Sequence, residues 1–285
     1  MAEITSEGFR FDRQYLVVKA PQNPSQRLVE HLTIKTTHKL ALFQPSINDD
    51  WSELTVRCTN RALRPSDRTS VITLPLSPSP LAGVQARSFD VNIFGTTAVG
   101  LDMGDGPASF FSTHLQIPSR LLFISGKGRR EIPGIAYIPQ QLASLTVNTN
   151  SGGDLQPQRI RFADAAPFLV TSTASEVEAR SRLPSATRNE DVIVRFRPNI
   201  HVDVGSYGRP YEEDEWRELV VSDAEGEEED PKATIRCVFA TPRCLSLNVD
   251  LNTGTRAYKE NQLYGLLAKD RRVNKAFPRM CTYIW

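Results

Sequence analysis

Two segments near the C-terminal end hold residue types suited to coordination chemistry. Arg195 to Ile200 reads RFRPNI and is trailed by Glu212 to Trp216, EEDEW; Pro242 to Gly254 reads PRCLSLNVDLNTG. They offer the thiol of Cys244, the guanidinium of Arg197, the amide of Asn199 and the carboxylate of Asp214, set beside short apolar runs. A thiolate is a soft ligand for a transition metal, and a guanidinium carries paired donors that match a phosphate. Together these groups are the parts needed to hold an anionic, sulfur-bound metal cofactor. Pro198 removes a backbone donor and stiffens its φ, so Arg197 leaves the chain at a fixed angle. The charge of Arg243 favours a thiolate at Cys244. A plainer reading stays open for each residue: Arg197 paired with a carboxylate such as Asp214, Asn199 as a turn former, Cys244 as an inert core thiol.

Other chemistries lack their signatures. Cys237 and Cys244 form no CxxC, and His31, His38, His114 and His201 form no recognisable ligand pair, which disfavours zinc. There is no GxSxG elbow, Walker loop or GxGxxG. The run GKGRR at Gly126 to Arg130 reads most simply as a basic hairpin tip, although it could touch an anion. Glu225 to Asp230 is a block of like charge and reads as a solvated loop.

Composition bounds the partners. With 34 basic and 33 acidic residues the chain carries no broad field toward nucleic acid or an anionic membrane, so any anion site must be local. Cys58, Cys237, Cys244 and Cys281 are irregularly spaced and read as free thiols of a reducing compartment. The start, MAEITSEGFRFDRQYLVV, has no apolar or Arg-rich leader pattern, and no apolar run reaches about 18 residues. A cytoplasmic protein without a membrane span is expected.

The elements that must position these groups read mainly as strands. Candidates are Tyr15 to Lys19, Leu32 to Ile34, Leu40 to Phe43, Leu54 to Arg57, Ser70 to Leu74, Phe89 to Phe94, Thr97 to Leu101 and Arg120 to Ile124, with a helix over Asp105 to Leu115. Further on come Ile193 to Phe196, Ile200 to Val204, Glu218 to Val221, Thr234 to Phe239 and Leu245 to Val249. Helices are expected over Ser172 to Leu183, opened by a hydroxyl cap, and over Asn261 to Arg271. Pro75 to Gly83 and Asn148 to Gln158 have loop or linker composition. The prediction is a mainly β (α+β) chain of two β-barrel domains with a few peripheral helices, over 1–125 and 140–285.

In order along the chain, FDRQYLVV (Phe11 to Val18), TTHKLALFQPSI (Thr36 to Ile47), RFADAAPFLVTSTAS (Arg161 to Ser175), RFRPNI, YEEDEW and PRCLSLNVDLNTG resemble the MOSC family, named for the C-terminal domain of molybdenum cofactor sulfurase, together with the β-barrel domain that precedes it. The resemblance covers nearly the whole chain. It implies a molybdenum-cofactor-binding oxidoreductase that reduces N-oxygenated small molecules by oxygen-atom transfer. In amidoxime-reducing relatives the cysteine matching Cys244 is the protein ligand of molybdenum, which makes Cys244 the expected metal ligand. Residues matching Arg13, Arg197 and Asn199 hold the pterin and its phosphate, and Asp214 matches an acidic position near the metal.

Where relatives carry Asp-Thr-Ser-Pro, this chain has Asp164-Ala165-Ala166-Pro167, leaving the backbone amides of Ala165 and Ala166 as donors. Thr241 stands where reductase relatives have a second cysteine. The family's first strand, ending in Lys-Ser, and the closing strands that follow KDRRV (Lys269 to Val273) have no counterpart, so both barrels are expected to be short of outer strands, with an unpaired edge. An external electron donor such as a cytochrome b5 system is implied, because no haem, flavin or iron–sulfur motif is present. Mitochondrial association stays open through the resemblance. The alternative function is a cofactor carrier without reductase activity; pyridoxal phosphate is a family association only, since nothing here resembles the sulfurase domain that binds it.

Overall fold

The computed structural model describes residues 3–60, 66, 69–78, 87–124, 126–132, 158–187, 191–222, 233–273 and 277–284. It is mostly β with few helices and contains a curled half-barrel sheet, as the sequence predicts. The chain forms two compact units: one from Phe11–Glu131 and Val249–Ala257, the other from Met1–Arg10, Ile132–Asn248 and Tyr258–Trp285. The like-charged block at 225–230 lies outside the described residues.

In the first unit a five-stranded sheet runs in the order Tyr15–Lys19, Ser119–Ile124, Thr96–Asp102, Ser88–Ile93, Leu28–Val29. A three-stranded meander, Phe43–Ile47, Glu53–Thr59 and Thr69–Pro75, stands beside it in sequence. The predicted helix forms over Asp105–Leu115 and packs Phe111 and Leu115 with Leu32, Val56, Leu74 and Leu121. Leu40 does not begin a strand: His38–Leu42 is a 3-10 turn that buries Leu42, and the strand starts only at Phe43. Leu32–Ile34 likewise is not a strand, pairing there being limited to a single bridge from His31 to Val18.

The GKGRR run is not an anion-binding tip at its arginine end. Arg130 is 1% exposed and donates to Ile93 O at 2.8 Å and to Thr96 Oγ1 at 2.7 Å, so its charge is used inside the unit. Gly128 lies so close to the strand Thr96–Asp102 that an added Cβ would sit 1.9 Å from Val99 O. Backbone cannot yield there as a flexible side chain would. Gly128→Ala is therefore expected to destabilise the protein by roughly 3 kcal/mol, read as a lower urea midpoint.

The second unit is built on a sheet ordered Ile200–Val202, Phe168–Ser172, Phe277–Ile284, Ala233–Pro242, Glu218–Val221. The strand Phe277–Ile284 lies between two partners, and among the described residues the edges of the sheet are Ile200–Val202 and Glu218–Val221. Phe168–Ser172 is buried along its whole length, as expected for a strand covered on both faces. Alternation sends Phe168 and Val170 into a cluster with Ile235 and Cys237, and sends Leu169 to the other side. There it meets Ala179, Leu183, Val192, Phe196, Leu247, Leu263 and Leu267. Ala179 comes from the helix Thr173–Ser181, capped as predicted by Ser172, whose Oγ accepts from Ser175 N at 3.3 Å.

Three elements of this unit depart from expectation. Ile193–Phe196 is a four-residue helix rather than a strand, Leu245–Asn248 is a 3-10 turn followed by the two-residue strand Val249–Asp250, and the C-terminal helix is shortened to Leu263–Leu267. The first two changes have one cause. Phe196 and Leu247 are both drawn fully into the Leu169 cluster, and compact turns rather than extended strands bring them there. Each such burial is worth about 1.5–3 kcal/mol, more than the spread of β-propensity that favours extension.

Candidate functional site

The segment that carries Arg197 is fixed at both ends. The helix Ile193–Phe196 ends before Pro198, and Arg197 takes a left-handed backbone with φ 54°, its N–H donating to Ile193 O at 3.2 Å. Asn199 clasps the neighbouring strand: its N–H donates to Leu169 O at 2.9 Å, and its Oδ1 accepts from Leu169 N at 3.0 Å. The amide oxygen of Asn199 is thus spent on a strand 30 residues away rather than on a local turn.

The segment that carries Cys244 leaves the strand Ala233–Pro242 at Pro242. Arg243 is buried, donates from Nη2 to Phe196 O at 2.8 Å and holds its guanidinium carbon 5.5 Å from the centre of the Phe196 ring. The expectation that Arg243 serves the thiol beside it is therefore corrected. Consecutive side chains diverge, and the Phe196 carbonyl, left over at the end of a short helix, takes the donor. Beyond Cys244, Leu247 N donates to Cys244 O at 3.2 Å, and Asn248 Oδ1 accepts from Tyr264 N at 2.9 Å, which anchors the turn to the helix Leu263–Leu267.

Each segment therefore lends one arginine to the other. Arg243 reaches back to Phe196, and Arg197 reaches forward, donating from Nη2 to Ser246 Oγ at 3.0 Å. Ser246 Oγ is in turn 3.1 Å from Cys244 Sγ. One hydroxyl thus separates the predicted phosphate clamp from the predicted metal ligand. The sequence reading did not single out Ser246, because a serine in LSLN carries no signal until the fold names its neighbours.

Burial separates Cys244 from Cys58 and Cys237. Cys58 is 0% exposed and Cys237 is in the Phe168 cluster, and burial pushes both thiols up to about 12. Cys244 is only partly buried. Cys58 and Cys237 are core thiols, and Cys244 is one that a ligand can approach.

Asp214 is placed in a second cluster. Its carboxylate pairs with Arg271, whose guanidinium lies 3.7 Å from the centre of the Tyr211 ring. The Tyr211 hydroxyl donates to Glu178, and burial together with that carboxylate pushes the phenol up. Glu178 also meets Arg182, which bonds Asp270. The buried acid of the EEDEW run is Glu213, 0% exposed, which accepts from Ser172 Oγ at 2.9 Å and Ser175 Oγ at 2.7 Å. Burial raises its pKa against the opposing pull of those hydroxyls. Sequence reasoning passed over Glu213 because it singled out Asp214 as the acid of this run.

Ala165 and Ala166 are buried in the turn before Phe168–Ser172, next to Pro167, whose carbonyl and ring pack on Gly8. Arg13 belongs to the other unit, at φ 55° with Nε 3.6 Å from Asp12 Oδ1. His201 joins Thr171 Oγ1 at 2.8 Å to Glu176 Oε2 at 3.1 Å, and His114 is buried against Phe43 and Phe110, so neither is a metal ligand here. Among the described residues no group of three or more His, Cys, Asp or Glu side chains could hold a metal ion.

Residues 157–285 match the MOSC domain family model. This part of the chain is similar to the MOSC domain. The whole chain is 28% identical over 268 residues to mitochondrial amidoxime-reducing component 1 of Mus musculus and 27% identical over 265 residues to that of Homo sapiens, covering 91% of this chain and 63% of each relative. Mitochondrial amidoxime reducing component 2 of Rattus norvegicus is 29% identical over 172 residues, 60% of this chain and 43% of the relative. The chain thus spans less than two thirds of the curated relatives it matches. A solution structure from Bordetella bronchiseptica aligns with 41% of the chain at 16% identity and a TM-score of 0.29, too low to bear on the fold. Both site segments and the Asp214 cluster lie within residues 157–285. No described helix is long and apolar enough to cross a membrane.

Proposed function

We propose that this MOSC-like domain binds the molybdenum cofactor through Cys244 and reduces N-oxygenated substrates such as N-hydroxylated amidines. The observation that carries the reading is the partly buried Cys244, whose sulfur is joined through the Ser246 hydroxyl to the Arg197 guanidinium. The donor set fits the group. A soft sulfur is available to a metal, and a cation that matches phosphate stands one hydroxyl away. When bound, the cofactor supplies two-electron oxygen-atom transfer at molybdenum. Cys244 contributes the anchoring sulfur, Arg197 neutralises negative charge on the pterin phosphate, and Asn199 and the amides of Ala165 and Ala166 are proposed pterin contacts.

Asp214, held by Arg271, is proposed to shape the substrate side of the pocket. Electrons come from a separate protein donor of the cytochrome b5 class, in keeping with relatives named for amidoxime reduction.

The test is turnover. Protein loaded with molybdenum and supplied with an artificial reductant is expected to convert a model N-hydroxylated amidine to the amidine. A fully loaded sample that shows no conversion favours the carrier reading over the reductase.

A further inference from the structure

We propose that Ser246 is the positioning residue that locks the Cys244 sulfur and the Arg197 guanidinium into one arrangement and supplies a hydrogen bond to the sulfur when it ligates a metal. The inference rests on the reading of Cys244 as a metal ligand and deepens it. No sequence signal points to Ser246; its position in the fold does.

Hydrogen-bond chemistry fixes the direction of the chain. A guanidinium has only donors, so in the 3.0 Å contact Arg197 Nη2 gives its hydrogen and Ser246 Oγ accepts. A cysteine sulfur that ligates a metal carries no proton, so in the 3.1 Å contact the Ser246 hydroxyl must give its own hydrogen to Sγ. The run is therefore Arg197 to Ser246 to Cys244. Its members polarise one another in the same sense, with the positive charge at one end and the sulfur at the other.

The surroundings make this a held geometry rather than a chance contact. Ser246 is 4% exposed, and the next residue, Leu247, is fully buried in the Leu169 cluster, so the Ser246 side chain has little freedom. On the opposite side Phe196 is equally buried and receives Arg243, so the backbone that presents Arg197 is pinned to the backbone that presents Cys244. Outer partners of this kind orient a ligand and tune the metal it holds, and their loss costs about 10–100-fold in affinity or activity.

Four variants of the full chain test the proposal with two readouts. In metal-free protein, urea midpoints of Arg197→Ala, Ser246→Ala and the double variant are compared; the double variant is expected to fall by less than the sum of the two single changes, since the Arg197–Ser246 bond is lost in both. In protein made with cofactor, molybdenum retained after dialysis is expected to drop about tenfold in Ser246→Ala. Ser246→Thr, which keeps the hydroxyl, is expected to restore most of the molybdenum at a urea midpoint close to that of the wild type. Additive midpoints, or wild-type molybdenum retention in Ser246→Ala, overturn the inference while leaving Cys244 as the ligand. Wild-type protein that retains no molybdenum under the same conditions overturns the parent reading and this inference with it.

Discussion

Cys244→Ala is expected to lose bound molybdenum by roughly 100-fold or more, beyond what outer partners of a ligand cost, and to lose turnover with it. The reason is chemical selectivity combined with access. A molybdenum centre held by a protein thiolate needs a sulfur that can be deprotonated and reached, and Cys244 is not fully buried as Cys58 and Cys237 are. The controls sharpen the expectation. Cys58 is fully buried and Cys237 packs with Phe168, Val170 and Ile235, with burial pushing both thiols up to about 12. Cys58→Ala and Cys237→Ala are therefore expected to lower the urea midpoint, by about 1–2 kcal/mol for a small cavity, and to leave molybdenum per chain unchanged. Elemental analysis beside urea unfolding separates these outcomes. A Cys244→Ala protein that keeps its molybdenum, or a Cys58→Ala protein that loses it as fully, contradicts the assignment.

Glu213→Ala is expected to be the most destabilising side-chain change in the EEDEW run, by about 2–4 kcal/mol. The substitution empties a fully buried position and leaves the hydroxyls of Ser172 and Ser175 without their acceptor, and Ser172 is also the cap of the helix Thr173–Ser181. Ser175 Oγ further accepts from Tyr211 N at 2.6 Å, so the damage spreads to the turn that presents Asp214. Glu213→Gln keeps an acceptor oxygen and should cost less. It also removes a titration whose sign can be stated. Burial raises the folded pKa of Glu213 above its ordinary value of 4.5, so the folded state holds this proton more tightly than the unfolded chain. Its contribution to stability is fully present below the ordinary carboxylate range and is lost as pH rises through the raised value. The stability of wild type relative to Glu213→Gln should therefore fall as urea midpoints are measured from acid toward neutral pH. A difference that stays flat across that range contradicts an ionisable buried Glu213.

Much of the frame was legible in the residues because it rests on local signals. Tyr15–Lys19, Glu218–Val221 and the helix Asp105–Leu115 appear with the bounds their patterning implies, and Ser172 caps its helix as a serine ahead of an amphipathic run should. The failures fall where distant burial overrides local preference. Ile193 to Phe196, with two β-branched residues, reads as a strand, and LSLNV alternates like one. Yet Phe196 and Leu247, 51 positions apart, are packed in a common cluster, and that packing selects tight turns at both places.

The site divides along the same line. Residue chemistry left Cys244 and Arg197 open to plainer readings, as a core thiol and an ion-paired arginine, and the family resemblance singled them out. Ser246 and the redirection of Arg243 were invisible, because they depend on contacts whose partners lie 49 and 47 residues away. Glu213 was hidden differently: its neighbour Asp214 was singled out as the acid of this run, and only the two serines facing Glu213 explain how it is buried.

The most direct measurement is molybdenum per chain in protein purified from a host that makes the cofactor. The account predicts about one atom per chain, held by a thiol that is both partly exposed and tied to a guanidinium. Molybdenum at background in well-folded protein contradicts it.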